Sequence, residues 1–269
     1  MRYSALAFIT AAIMTAAAPA YAHDGSSSEA VSIDIVSERG GLFLSIPHRD
    51  SWQGETHIIK NYLEARRGAN YGICIRNRTP DRIGVVIAVD GRNIISGKQS
   101  DLKNTEAMYI INSYGQGSYE GWRTTSDKVH KFYFTDVADS YSVRTFGDDS
   151  AMGVIAVAVY REKSWPKPLY ERKRPQDSPA APSAEQRPRG KMEALDDERA
   201  GTGFGDEEYS PTVRVAFEPE KKPVQKTLIK YEWREVLCRK GILHCGQEAH
   251  NRLWDEDVYA PFPPGYPRY

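Results

Sequence analysis

From Val31 to about Tyr160 the chain switches between short apolar runs and turn residues so often that it has room for strands and for little else. Val31, Ile33 and Ile35 alternate with Ser32 and Asp34, a period of two that places one face of a strand on a core. Gly40-Gly41 interrupts before Leu42–Ile46, and Pro47 is expected to end that run. Tyr71, Ile73 and Ile75 alternate in turn and give way to the turn cluster Asn77–Asp81. Ile83–Val89 is apolar throughout, and Asp90-Gly91 follows it. An Asp-Gly step between β-branched runs signals a hairpin, because both central residues of a type I′ turn need positive φ. Met108–Ile111, Tyr119–Arg123, Val129–Phe134 and Gly153–Tyr160 supply four more candidate strands. The fold class expected is mainly β, an antiparallel β-sandwich over residues 31–161, a length sufficient to bury such a core. One helix is expected over Ile58–Arg67, where Ile59, Tyr62 and Leu63 share a helical face.

The rest of the 269 residues reads differently. Residues 1–22 have the form of a signal peptide: Arg2, an apolar run from Ala5 to Ala18, and small residues at Ala20 and Ala22. The run is too short to span a bilayer, no later stretch is long and apolar enough to do so, and no Cys follows Ala22 to carry a lipid. A periplasmic or secreted protein starting at His23 is the expectation. Residues 162–208 read as a disordered, charged and Pro-rich linker. Six prolines fall between Pro166 and Pro188, and large apolar side chains are too sparse there to offset backbone ordering. The linker is polarised, with nine basic and four acidic residues over 161–191, then one basic and seven acidic over 192–208. Residues 209–260 suggest a small α+β unit: strands at Thr212–Phe217 and Thr227–Trp233 forming a hairpin, then a short helix from Glu235 interrupted at Gly241. That unit is expected to pack on the first, with extension of one of its sheets as an alternative. Pro261–Tyr269 is a proline–aromatic tail. Over the whole chain 36 basic residues balance 36 acidic ones, so no global field favours nucleic acid.

Few residues suggest chemistry. Gly201-Thr-Gly-Phe-Gly205 looks like a phosphate loop, but an acidic segment follows it instead of a helix N-terminus, so a flexible turn is the better reading. Cys238, His244, Cys245 and His250 match no standard zinc spacing. A Cys238–Cys245 disulfide, free thiols and a metal site all stay open, and a bridge needs the chain to turn near Gly241. Cys74 sits in a strand pattern as a small buried hydrophobe. Asp136, Asp139, Asp148 and Asp149 could ligate calcium or act as a glycosidase pair, although Asp in loops ordinarily caps turns. No catalytic Ser or zinc-protease motif is present, and the six His have no telling spacing. Tyr119, Trp122 and Arg123, in an aromatic–Gly stretch, are the candidate recognition surface together with Asp136 and Asp139. A core role for Trp122 is the stronger alternative. No cofactor is expected.

Tyr71–Thr79, Arg82–Asn93, Gly121–Arg123, Phe132–Tyr141 and Gly153–Val159, in that order, resemble a group of uncharacterised bacterial exported proteins with a β-rich N-terminal module. Gly201–Pro211 and the strand near Tyr231 are similar to that group's C-terminal portion. The resemblance implies no activity and no site residues. A non-enzymatic protein that binds an envelope protein or glycan, or takes part in envelope assembly, is the function expected. An envelope-glycan hydrolase using Asp136 or Asp139, and a strand-exchanging filament subunit, are the alternatives.

Overall fold

The computed structural model describes residues 30–163 and 199–245. The expected signal peptide (1–22), most of the linker and the tail (261–269) lie outside the described residues. Fourteen strands follow one another among the described residues: β1 (Val31–Ser37), β2 (Ser45–Gln53), β3 (Thr56–Ala65), β4 (Asn70–Asn77), β5 (Ile83–Val89), β6 (Arg92–Asn93), β7 (Tyr109–Ile111), β8 (Gln116–Tyr119), β9 (Gly121–Arg123), β10 (Lys128–Asp136), β11 (Val154–Arg161), β12 (Ala200–Thr202), β13 (Glu207–Tyr209) and β14 (Gln225–Trp233). A 3-10 turn at Val137–Asp139 and two short helices, α1 (Tyr141–Phe146) and α2 (Arg234–Arg239), complete the regular structure among the described residues.

The strands make two sheets packed as a sandwich. One runs β1-β4-β10-β12, with β8 beside β4 and with β9 and β13 beside β10. The other runs β2-β3-β14-β11-β5-β6, with β7 also on β5. Between the sheets lie Ile73, Ile75, Phe132 and Phe134 from the first, and Val85, Ile87, Ile155, Val157, Ile229 and Tyr231 from the second. The unbroken apolar run of β5 has its reason here, since this strand is buried on both faces. Its outer face, at Val86, packs with Ala158, Tyr160, Leu102 and Met108. Asp90 and Gly91, at φ 48° and 75°, make the expected turn from β5 into β6.

Four local expectations are corrected. Residues 56–65 are strand, not helix. Ile59 and Leu63 are four apart, a spacing that puts two residues on one face in either conformation, and the strand lays Tyr62 on the opposite face. What decides is tertiary: β3 pairs antiparallel with β2 and parallel with β14 along nine residues. Pro47 does not end its strand, because β2 is an edge strand and shifts register between Pro47 and Arg49. Gly201–Gly205 is not a flexible turn. β12 pairs with β10, and a Cβ on Gly203 would lie 2.1 Å from the Tyr133 ring, so glycine is needed for close approach. Finally, Thr212–Phe217 joins no ladder, and the hairpin with Thr227–Trp233 does not form. β14 enters the second sheet as an interior strand between β3 and β11.

Candidate functional site

The candidate recognition residues are not gathered on one surface. Trp122 is only 2 % exposed. It packs edge-on to Phe132 and beside Tyr141, and its Nε1 donates to the Gly203 carbonyl at 2.9 Å, so it builds the core. Tyr119 is half-buried against Tyr109, with ring centroids 4.3 Å apart, and burial pushes its phenol pKa up. Asp136 faces Arg67 at 3.5 Å and Asp139 faces Arg144 at 3.7 Å, each at its own arginine. Asp148 and Asp149 pair likewise with Arg92 and Arg199. Among the described residues no three His, Cys, Asp or Glu side chains gather as a metal site. Cys238 and Cys245 are joined as a disulfide with Cα atoms 5.4 Å apart, and the chain reverses at Gly241, φ 69°, just after α2.

Arg123 alone of that set lines a sizeable groove, a cavity of about 670 Å³ within the range typical of ligand sites. One wall is β7. It pairs with β5 along one edge, and no described segment bonds to its other edge. The facing wall is the extended segment 212–217, which the sequence marks as a strand and which has none of a strand's partners. The N–H groups of Val213 through Phe217 make no hydrogen bond among the described residues. Val213 is 86 % and Val215 52 % exposed.

This segment is pinned at its ends and unattached between them. At the N-terminal end Ser210 N–H donates to the Asp127 carbonyl and Thr212 N–H to that of Ser126. Arg123 adds to that anchor: its Nη1 donates to the Ser210 carbonyl at 2.9 Å and its Nε to Tyr109 Oη at 2.7 Å. At the other end Phe217 seats on the outer face of β5 at Gly84, where a Cβ would come within 2.6 Å of its ring. Arg82, paired with Glu162, donates to the Ala216 carbonyl. The floor includes Ile95 and Met108. Glu106, at the rim, has its carboxylate occupied by Ser100 Oγ and by the N–H groups of Asp101 and Lys103. Arg214 has no hydrogen bond or ion pair among the described residues, and Arg123 bonds only neutral groups. With Arg123 and Arg214 against Glu106, the groove carries a net positive charge beside apolar side chains and unbonded main chain.

No family model, curated protein or solved structure matches this chain. Part of the groove could be found in the sequence, since Thr212–Phe217 alternates as a strand should. What periodicity cannot reveal is that this run lacks a neighbour, because pairing depends on segments distant in the chain.

Proposed function

We propose that this protein is a binding or assembly module that receives an extended segment of a partner chain in the groove between β7 and residues 212–217. One observation carries the reading: a β-patterned segment with five unbonded N–H groups faces an open strand edge across a cavity of about 670 Å³. Strand addition supplies main-chain hydrogen bonds for affinity, while side-chain pockets on alternate positions give specificity. The uncommitted Arg214 favours a segment with an acidic side chain. The leader pattern of residues 1–22 supports export to the periplasm or beyond, and the Cys238–Cys245 bridge suits an oxidising compartment. An envelope protein is accordingly the partner proposed.

The test is a pull-down from native envelope extract with the mature chain, compared with Arg214→Glu and Val215→Asp. Both positions are exposed, so thermal unfolding should be unchanged. A component retained by the wild type and lost from both variants is the expected result. Equal retention by all three, or no retained component, overturns the proposal. A second copy of this chain is one such partner. Size-exclusion chromatography with and without residues 255–269 reads that case, where an unchanged monomer in both removes it.

A further inference from the structure

The hairpin of β2 and β3 ends in an aromatic shelf. Trp52 is 68 % exposed, and its ring lies flat on His57 with centroids 4.6 Å apart and planes within 10°. His57 is in turn held by Asp50, with Nε2 and Oδ1 2.5 Å apart. One face of the indole is therefore backed and the other is presented outward. A cavity of about 550 Å³ opens beside it, lined by Glu55, Arg161, Glu220 and Lys222 as well as by Trp52 and His57. Several charged side chains elsewhere on the surface are paired, among them Arg82 with Glu162, Lys128 with Glu207, Lys131 with Glu38 and Lys163 with Glu218. Glu55, Arg161, Glu220 and Lys222 are not. None has a side-chain hydrogen bond or ion pair among the described residues, although two acids and two bases share one cavity.

The walls are held in place by the main chain. Thr56 Oγ1 donates to the Pro223 carbonyl at 2.7 Å, and His57 N–H donates to that of Val224 at 2.9 Å. Glu220 N–H donates to the Arg161 carbonyl at 2.9 Å. The backbone of the site is thus pre-organised, and the ordering that remains to oppose binding is that of the four free side chains. A flat apolar face next to free carboxylates and free cations matches the two sides of a pyranose ring. Its axial C–H groups lie on the indole, its hydroxyls donate to Glu55 and Glu220, and its oxygens accept from Arg161 and Lys222.

We infer that the Trp52 shelf and the cavity beside it form a saccharide-binding site for a pyranose oligosaccharide. This site is separate from the groove at residues 212–217 and does not depend on its reading. Isothermal titration calorimetry of the mature chain with chitotetraose and with cellotetraose tests it. At least one probe should bind, and Trp52→Ala should weaken binding by roughly tenfold or more, with Trp52→Phe recovering part of the loss. Trp52 also braces the hairpin, so Glu220→Gln, on a separate segment, is the second variant and should weaken binding several-fold. Val215→Asp, at the other groove, should bind as the wild type does. Failure of both probes to bind at about 10 mM, or binding unaffected by Trp52→Ala and Glu220→Gln alike, overturns the inference.

Discussion

Asp90 turns the chain out of β5 and then buries its carboxylate between the sheets. Oδ1 accepts from the Gly153 N–H at 2.8 Å and from Tyr231 Oη at 2.5 Å, while Oδ2 accepts from the Thr202 N–H at 2.7 Å. Thr202 Oγ1 sits within hydrogen-bond distance of both Tyr71 and Tyr231 hydroxyls. Five segments of the chain meet at these atoms. Burial lifts the Asp90 pKa to about 6, against the lowering influence of the hydrogen bonds it accepts. A carboxyl raised in the folded state favours folding most when protonated, so its stabilisation is complete below the unfolded value and is lost as pH rises through about 6. Denaturant unfolding should therefore show a component of about 2 kcal/mol gained between pH 7 and pH 4. Asp90→Asn should abolish that component and lower stability at acidic pH, since its amide must face a backbone N–H. An unchanged pH profile in Asp90→Asn would contradict this account. The Asp-Gly pair announces the turn in the sequence, but nothing there announces the network, because Tyr71 and Tyr231 look like ordinary strand residues and Thr202 lies in a stretch that reads as linker.

Among the elements, strand patterning is legible wherever apolar residues alternate or run unbroken, as in β1, β4, β5, β10 and β11. It misleads at β3, where Ile59 and Leu63 fit both periods and only β2 and β14 settle the conformation. Segment 212–217 shows the converse: the pattern is that of a strand, and the backbone is extended without a ladder. Its anchors make it testable. Gly84→Ala places a methyl where the Phe217 ring and the Met108 sulfur lie, and should cost about 1–3 kcal/mol by overpacking. Arg123→Ala removes the guanidinium bonds at the other end. Each substitution should speed trypsin cleavage after Arg214 several-fold while leaving sites on β10 protected. Cleavage at wild-type rates in both would mean that the segment is not held by these contacts. A phosphate loop at Gly201–Gly205 fails for a related reason, since those glycines let β12 approach β10 and Tyr133 closely.

At the scale of the molecule, the sandwich is legible from the density of short strands, but the order within the sheets is not. β14 lies parallel to β3 across more than 160 residues of chain, and period-two patterning specifies which face of a strand is buried without naming its neighbour. The same blindness hides both candidate sites. The groove arises because β7 and residues 212–217 are brought face to face with no strand between them, and the Trp52 shelf because residues 220–225 pass under a hairpin tip. Amide hydrogen exchange of Val213–Val215, read by NMR in the isolated mature chain and again with the envelope component captured in the pull-down, tests the vacancy most directly. Exchange near the unprotected rate in the free chain, with Thr212 and the β11 amides slow, followed by protection on binding, is the predicted result. Protection already present in the free chain, or none gained in the complex, would contradict it.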